Sequence, residues 1–238
     1  MIKTKEKVCH KDLGLIDYKK AWDIQEKLLK GLVDLKVSNR ELPLEEQIKA
    51  KHHLLFCEHP PVITLGRSGS IENLLFNESF LKSKGIQFYK NNRGGDITFH
   101  GPQQIVGYPI LDLDYFFTDI HKYMRFLEEI IIRTLDEYGI IGDRLKGATG
   151  VWIDKEIPGK ARKICAMGVK CSRWVTMHGF AFNINTDLNY FNFINPCGFT
   201  DKGVTSLEKE LGKRINIEEV KPKLLKHFCD LFEAELTK

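Results

Sequence analysis

The sequence predicts an α+β fold with a mostly antiparallel sheet. Three observations support that class. Short apolar runs bounded by Gly and Pro, which read as strands, fill residues 52–65, 85–113 and 150–185. Apolar residues at helical spacing occur in only a few places, before, between and after those blocks. The order is therefore a helix, a block of strands, a long helix, more strands, then helices, without the regular alternation that builds a parallel α/β sheet. No repeat or linker-like stretch interrupts the chain, so residues 1–238 read as one unit.

The first helix runs from Tyr18 to Leu32, on Tyr18, Ala21, Trp22, Leu28, Leu29 and Leu32, with Gln25 as the one polar break in its stripe. Cys9, ahead of it, falls in what reads as a loose terminus. Leu54-Leu55-Phe56-Cys57 and Val62-Ile63-Thr64-Leu65 are strands joined by a stiff His59-Pro60-Pro61 corner, since two prolines forbid a helix there. Ile86 to Tyr89, Ile97 to Phe99 and Ile105 to Ile110 follow as strands separated by tight turns. Asp119 caps the clearest helix, which keeps one stripe through Ile120, Met124, Leu127, Ile131, Leu135 and Tyr138 until Gly139 ends it. Strands return at Val151 to Ile153, Ile164 to Val169, Trp174-Val175 and Phe180 to Ile184. Thr205-Ser206-Leu207-Glu208 reads as a capping box for a short helix ending at Gly212. A last helix runs to about Leu236 and becomes regular only near Pro222.

Composition excludes several classes. The chain is 42% hydrophobic and 29% charged, with 15 Phe, 7 Tyr and 3 Trp, so it can build a core and is not a disordered chain. No apolar run approaches the roughly 18–20 residues of a membrane helix. The opening Met-Ile-Lys-Thr-Lys-Glu-Lys has no apolar segment after its lysines, so no secretory signal is expected and a cytosolic setting is. A net charge of +4 is too weak to argue nucleic-acid binding. One local excess stands out: Lys155, Lys160, Arg162, Lys163, Lys170 and Arg173 face, in the sequence around them, only Asp154 and Glu156. It is either a solvated face or a dock for an acidic partner.

Six scattered cysteines make neither a disulfide scaffold nor, without a CxxC, a zinc site. Cys57, Cys165, Cys171 and Cys229 lie in or beside apolar runs and read as small core residues. Cys197 differs. In Asn195-Pro196-Cys197-Gly198 a rigid residue precedes the sulfur and a permissive one follows, so this thiol is either a nucleophile or structural. A nucleophilic thiol needs a neighbouring cation or base to favour thiolate. His100, His178 and Lys163 are the candidates. Lys163 is unusual, because it sits in the apolar-looking strand Lys163-Ile164-Cys165-Ala166-Met167-Gly168-Val169, where an ammonium is costly. The densest motif is Arg93-Gly94-Gly95-Asp96-Ile97-Thr98-Phe99-His100-Gly101-Pro102. It has neither GK[ST] nor GxGxxG, so it is no P-loop or dinucleotide fingerprint. It is either a glycine-rich hairpin or a loop that brings backbone close to a ligand.

These stretches occur in an order that resembles a known family. They are His59-Pro60-Pro61-Val62, Thr64-Leu65-Gly66-Arg67, Arg93 to Pro102, Gln104, Gly107-Tyr108-Pro109 and Gly150-Val151-Trp152. Lys163-Ile164, Gly168-Val169, His178 to Ala181, Asn183, Asn195 to Gly198 and Thr205-Ser206-Leu207 follow. Over about residues 58–212 the chain resembles the lipoyl(octanoyl) transferases, the octanoyl-[acyl carrier protein]:protein N-octanoyltransferases. The resemblance implies the catalytic-domain fold of the biotin/lipoate protein ligases, a mixed sheet flanked by helices. It implies a cytoplasmic acyltransferase that moves an octanoyl group from acyl carrier protein to a lysine of a lipoyl domain, the first step of lipoate biosynthesis. The acceptors would be lipoyl domains of 2-oxoacid dehydrogenases and the glycine cleavage H protein. No cofactor, metal, nucleic acid or membrane is implied.

By matching positions, Cys197 would be the acyl-accepting nucleophile and Lys163 its acid/base partner. Arg93, Gly94, Gly95, Asp96, Ile97, Thr98, Phe99 and His100 would line the acyl site, with Ala166, Met167, Gly168, Gly179, Phe180 and Ala181. Gly94, Gly95 and Gly179 would let backbone approach the acyl chain. Arg93 would either pair with an acid or touch substrate, and His100 and His178 would either line the site or fill core. One position departs from the family: Gln103 stands where a glycine is usual, so it either adopts an allowed conformation or strains the turn. The alternatives are an ATP-dependent lipoate/biotin-type ligase of the same fold, which needs no cysteine, a non-catalytic lipoyl-domain-binding protein, and a Cys-His hydrolase.

Overall fold

The structure, a computed structural model, describes residues 5–195 and 202–237. In chain order the elements are β1 (Glu6–Leu15), α1 (Tyr18–Asn39), β2 (His52–Glu58), β3 (Val62–Leu65), α2 (Glu78–Ser83), β4 (Gln87–Lys90), β5 (Ile97–His100) and β6 (Gln104–Ile110). Then come α3 (Ile120–Asp136), β7 (Asp143–Leu145), β8 (Ala148–Ile153), β9 (Arg162–Ser172), β10 (Val175–Asn183), β11 (Gly203–Val204), α4 (Leu207–Leu211), α5 (Ile217–Phe232) and β12 (Ala234–Thr237).

The large sheet has the order β12-β1-β2-β6-β10-β9-β8-β7, with β11 added beside β9; a small sheet has the order β4-β3-β5. Antiparallel pairs prevail, and β1–β12, β1–β2, β9–β11 and β3–β4 are the parallel ones. The α+β class with a mixed, mostly antiparallel sheet is thus observed. One face of the large sheet is covered by α3 and α5, where Leu127, Ile131 and Leu135 meet Val220, Leu224 and Phe228 around Ile105, Ile164 and Phe182. The other face takes α1, whose Ala21, Leu29 and Leu32 pack on Val106, Tyr108, Met177 and Ala181. A third cluster, with Ile63, Ile97, Phe99 and Phe191, fills the small sheet. None of the described helices is long and apolar enough to cross a membrane.

Caps explain where most helices start. Asp17 accepts from Lys20 N, Asp119 from His121 N and Lys122 N, and Asn216 from Glu218 N. The short α4 is capped by Ser206, which accepts from Lys209 N, rather than by a Thr205–Glu208 box. Thr205 instead donates its hydroxyl to Glu210. Four expectations need correction. The N-terminal stretch is strand β1, and Cys9 lies in its ladder opposite His53. The last helix is regular from Ile217, with Pro222 inside it, and stops at Phe232; Glu233 takes a left-handed conformation and the chain turns into β12. Trp174 belongs to a turn, and Cys171 is exposed.

The candidate active site

A cavity of about 290 Å³ opens between the large sheet and the small one. Its floor comes from two antiparallel neighbours. Ala166 faces Ala181 across the β9–β10 ladder, and Gly168 faces Gly179 two residues on. All four line the cavity. The stretches Ala166-Met167-Gly168 and Gly179-Phe180-Ala181, unremarkable singly, are thus one surface of small residues. Met167 and Phe180 also touch the cavity, but their side chains belong to the core under α3 and α5. Strand alternation leaves them to meet the cavity through backbone.

The Arg93–His100 stretch forms the opposite wall, though not all of it faces inward. Arg93, Gly95, Asp96, Ile97, Thr98 and His100 line the cavity. Phe99 does not: it stacks on Tyr190 at 4.7 Å and meets Phe191 edge-on in the small-sheet core. Gly94 stands behind the wall and donates its N–H to Val169 O at 2.8 Å. Of the three glycines expected to admit an acyl chain, Gly95 and Gly179 line the cavity, while Gly94 and Gly179 also stand close against neighbouring backbone. A Cβ on Gly179 would lie 2.1 Å from Gly107 O, and one on Gly94 would lie 3.3 Å from Val169 O. Gly95, at φ +83° and exposed, has the most room around it of the three.

Arg93 is buried and clamps the wall. Its guanidinium donates to Thr64 O at 2.7 Å, Thr64 Oγ1 at 3.0 Å and Gly94 O at 3.1 Å, which ties the loop to β3. Charge-assisted bonds of this kind exceed neutral ones. Asp96 accepts from Asn73 Nδ2 at 2.6 Å.

The far end of the cavity is lined by Tyr18, Tyr108, His100 and His178, with His59 behind them, and Arg93 stands beside these groups. His59 Nδ1 faces Ile16 O at 2.8 Å; a carbonyl only accepts, so Nδ1 carries the proton and Nε2 accepts from Tyr108 Oη at 2.8 Å. Asn92 directs its amide N–H to Glu26, so its oxygen faces His178 Nε2 at 2.9 Å and that nitrogen carries the proton. His100 pairs with Gln104 Oε1 at 2.9 Å. Burial pushes His59 down to about 4 and His178 to about 3, and it holds His100 well below the usual imidazole range. His178 also sits at φ +60°, which costs a residue with Cβ on the order of 1–2 kcal/mol. Its N–H donates to Gln25 Oε1 at 2.9 Å. The single polar residue in the α1 stripe thus supports the strained position.

Lys163 lies on β9 at the other end, 9% exposed and lining the cavity. Its Nζ is 4.7 Å from the centroid of the Trp152 ring. The carbonyl of Lys163 accepts from Thr205 N at 3.0 Å, and β11 pairs Gly203 with Arg162 and Val204 with Lys163. On the other side, Asn195 N donates to Asn73 O at 2.8 Å. In the sequence Cys197 falls between Asn195 and Gly203, and it is outside the described residues. The basic run around Lys163 finds acids from elsewhere in the chain. Lys155 meets Asp143, Arg162 meets Glu210, and Lys170 meets Glu26. Acids from elsewhere thus meet three of its six basic residues.

Tyr18, Tyr108, Trp152, Gln104 and Asn183 also line the cavity and were not among the expected lining residues. Tyr18 carries no separate signal, since it opens the apolar stripe of α1.

A family description of the lipoyl protein ligase A/B catalytic domain matches residues 17–229. An octanoyltransferase of Christiangramia forsetii is 62% identical over 95% of this chain and 96% of its own length. One from Flavobacterium johnsoniae is 59% identical over 97% and 99%. Among solved structures, the bipartite lipoate protein ligase of Thermoplasma acidophilum superposes with a TM-score of 0.67, covering 99% of this chain and 86% of that one at 14% identity. The biotin protein ligase of Aquifex aeolicus, solved with biotin and ATP, gives 0.51 at 15% identity, over 94% and 70%. These last two likenesses are of fold.

Proposed function

The chain belongs to the lipoyl protein ligase A/B catalytic-domain family and is an octanoyltransferase, and from that premise we propose a two-step route through Cys197 and Lys163. The donor is an octanoyl thioester on acyl carrier protein. Cys197 thiolate attacks its carbonyl, the tetrahedral adduct collapses, and the phosphopantetheine sulfur leaves with a proton from the Lys163 ammonium. The octanoyl group then rests as a thioester on Cys197. A lysine amine of a lipoyl domain, in a 2-oxoacid dehydrogenase or the glycine cleavage H protein, attacks that thioester. Neutral Lys163 takes the amine proton as the amide forms, and Cys197 thiolate is released. Thioester exchange is nearly isoenergetic and aminolysis is downhill, so the route consumes no ATP. It treats residues 1–238 as one catalytic domain in the reducing cytoplasm, where the thiol persists.

The observation that carries this reading is Lys163 at one end of a small-residue floor, beside the strand where the chain returns from the Cys197 segment. The neutral histidines support it. Burial holds His178 near 3 and His100 well below the usual imidazole range, so both are weak bases. That disfavours a Cys-His hydrolase. Arg93, Gly95, Asp96, Ile97, Thr98 and His100, facing Ala166, Gly168, Gly179 and Ala181, would hold the chain.

Incubation with octanoyl-acyl carrier protein and a lipoyl domain, without nucleotide, tests the route. Intact mass should show one octanoyl group on the enzyme, mapped to Cys197 and released by neutral hydroxylamine, followed by acylated lipoyl domain. Cys197→Ser should lose the hydroxylamine-sensitive adduct. Product only with ATP would make the protein a ligase, and full turnover by Cys197→Ser would remove the sulfur from the reaction.

A further inference from the structure

Resting on the Lys163 role proposed above, we propose that Glu128 is the positioning residue for Lys163, acting through the backbone of Gly150. Glu128 sits on the core-facing side of α3, among Tyr123, Leu127 and Ile131, and is only 1% exposed. An apolar residue there would serve stability as well, because a buried ion pair gains little over a packed hydrophobe. The carboxylate is nevertheless present, and its oxygens are committed. Oε2 accepts from Arg125 Nη1 at 2.8 Å and from Arg144 Nε at 3.1 Å. Oε1 accepts from Gly150 N at 3.1 Å.

The last bond is the one that reaches the site. Gly150 has φ +121°, and a Cβ on it would lie 2.5 Å from Cys165 O and 3.5 Å from both Cδ and Cε of Lys163. Gly150 therefore faces the stem of Lys163, with room for little more than a Cβ between them. The β8–β9 register shifts between Val151 and Trp152, so ladder bonding is irregular next to this point. Glu128 supplies the missing fixture for the Gly150 N–H. The same strand carries Trp152, whose ring lies under the Lys163 ammonium, and Ala148 O, which accepts from Trp152 Nε1 at 2.9 Å. A shift of β8 would move both the backbone facing the stem and the ring. Glu128 itself does not line the cavity. It positions and does not touch substrate.

Variants of different reach and charge test this. Glu128→Gln keeps an oxygen at full reach toward Gly150 N but loses the charge; Glu128→Asp keeps the charge but retracts by one methylene. Positioning predicts that Glu128→Asp and Glu128→Ala lower kcat by about ten- to a hundred-fold, the scale of an ångström-sized misplacement. KM for octanoyl-acyl carrier protein should stay within about two-fold, and Glu128→Gln should recover most of kcat. In a Lys163→Ala background Glu128→Asp should cost nothing further, since residues acting through one group are not additive. Single-turnover acylation of Cys197 gives the rates, and thermal melts confirm folding. Multiplicative losses in the double variant, or Glu128→Asp outperforming Glu128→Gln, would overturn the proposal. Wild-type turnover by Lys163→Ala alone would instead overturn the reading beneath it.

Discussion

At the scale of single residues, absent side chains decide the shape of the site. Gly168 lines the floor, and a Cβ there would lie 2.5 Å from Gly94 O and 3.2 Å from Arg93 Cδ. The nearer atom is backbone and cannot swing aside. Gly168→Ala should therefore push the Arg93–Gly94 wall outward, destabilise the fold by about 1–3 kcal/mol and lower octanoyl transfer. Urea unfolding and an acyl-transfer assay check it; a variant within 0.5 kcal/mol of wild type with full activity would show that the wall yields freely. Gln103 settles the question its identity raised. It does adopt the glycine-like conformation, at φ +63°. Its carbonyl accepts from Ile184 N, Asn185 N and Thr186 Oγ1, and its side-chain oxygen accepts from Asn185 Nδ2 at 2.7 Å. Several bonds, each worth about 1 kcal/mol, offset a left-handed penalty of similar size. Such a network cannot be read from a Gly-Pro-Gln string. The partners lie some eighty residues downstream.

At the scale of elements, the β9–β10 hairpin positions both rows of the cavity floor and turns on a two-residue loop. Ser172 pairs with Val175 across it, and Arg173 (φ +50°) and Trp174 (φ +66°) both lie in the left-handed region. That is the geometry of a type I′ turn, which Asn-Gly suits and Arg-Trp does not. Replacing Arg173-Trp174 by Asn-Gly should raise stability by about 1–2 kcal/mol. The carbonyl contacts of both residues, to Lys36 Nζ and Leu113 N, stay available because they are backbone. A thermal melt decides, and an unchanged or lower Tm would mean that the Trp174 side chain contributes more than the strain costs. Trp174 reads as strand in the sequence because aromatic residues favour strands and no Gly or Asn marks the bend. The same blindness hides the end of α5. Glu233 takes φ +50° with no glycine stop signal, so in the sequence the apolar stripe reads on into what is β12. Strand β1 is masked differently: only Val8 along it is buried, so no alternation shows.

At the scale of the whole molecule, the buried histidines set the acid limit of the fold. His52 and His59 are held down to about 4 and His178 to about 3, chiefly by burial, against about 6.5 in an unfolded chain. Between these values the unfolded state binds protons that the folded state refuses. Stability is therefore fully present above about pH 6.5 and falls as pH drops toward 4, with a slope of up to about 1.4 kcal/mol per pH unit for each group. The depressed carboxyls, such as Glu210 beside Arg162 and Glu137 beside Lys223, act in a lower window. Their contribution is present above the unfolded carboxyl value and is lost as pH falls through the folded one. Melting temperature should thus decline from pH 6.5 downward, before the carboxyls titrate. A Tm that stays level from pH 7 to pH 5 would contradict this.

By itself, the sequence determined the class of fold, the strand blocks, the capped helix after Asp119, and the stretches whose order marks the family. Each of those rests on local physics: periodicity, turn chemistry, capping and motif spacing act over a few residues. The tertiary structure alone decided which small residues face each other on the floor, and that Phe99 turns away while Tyr18 and Tyr108 turn in. It also brought Glu128 to Gly150 and paired Lys155, Arg162 and Lys170 of the basic run with acids from other strands and helices. Those facts depend on register and packing between segments up to 144 residues apart, and a chain read one neighbourhood at a time carries no record of such distances.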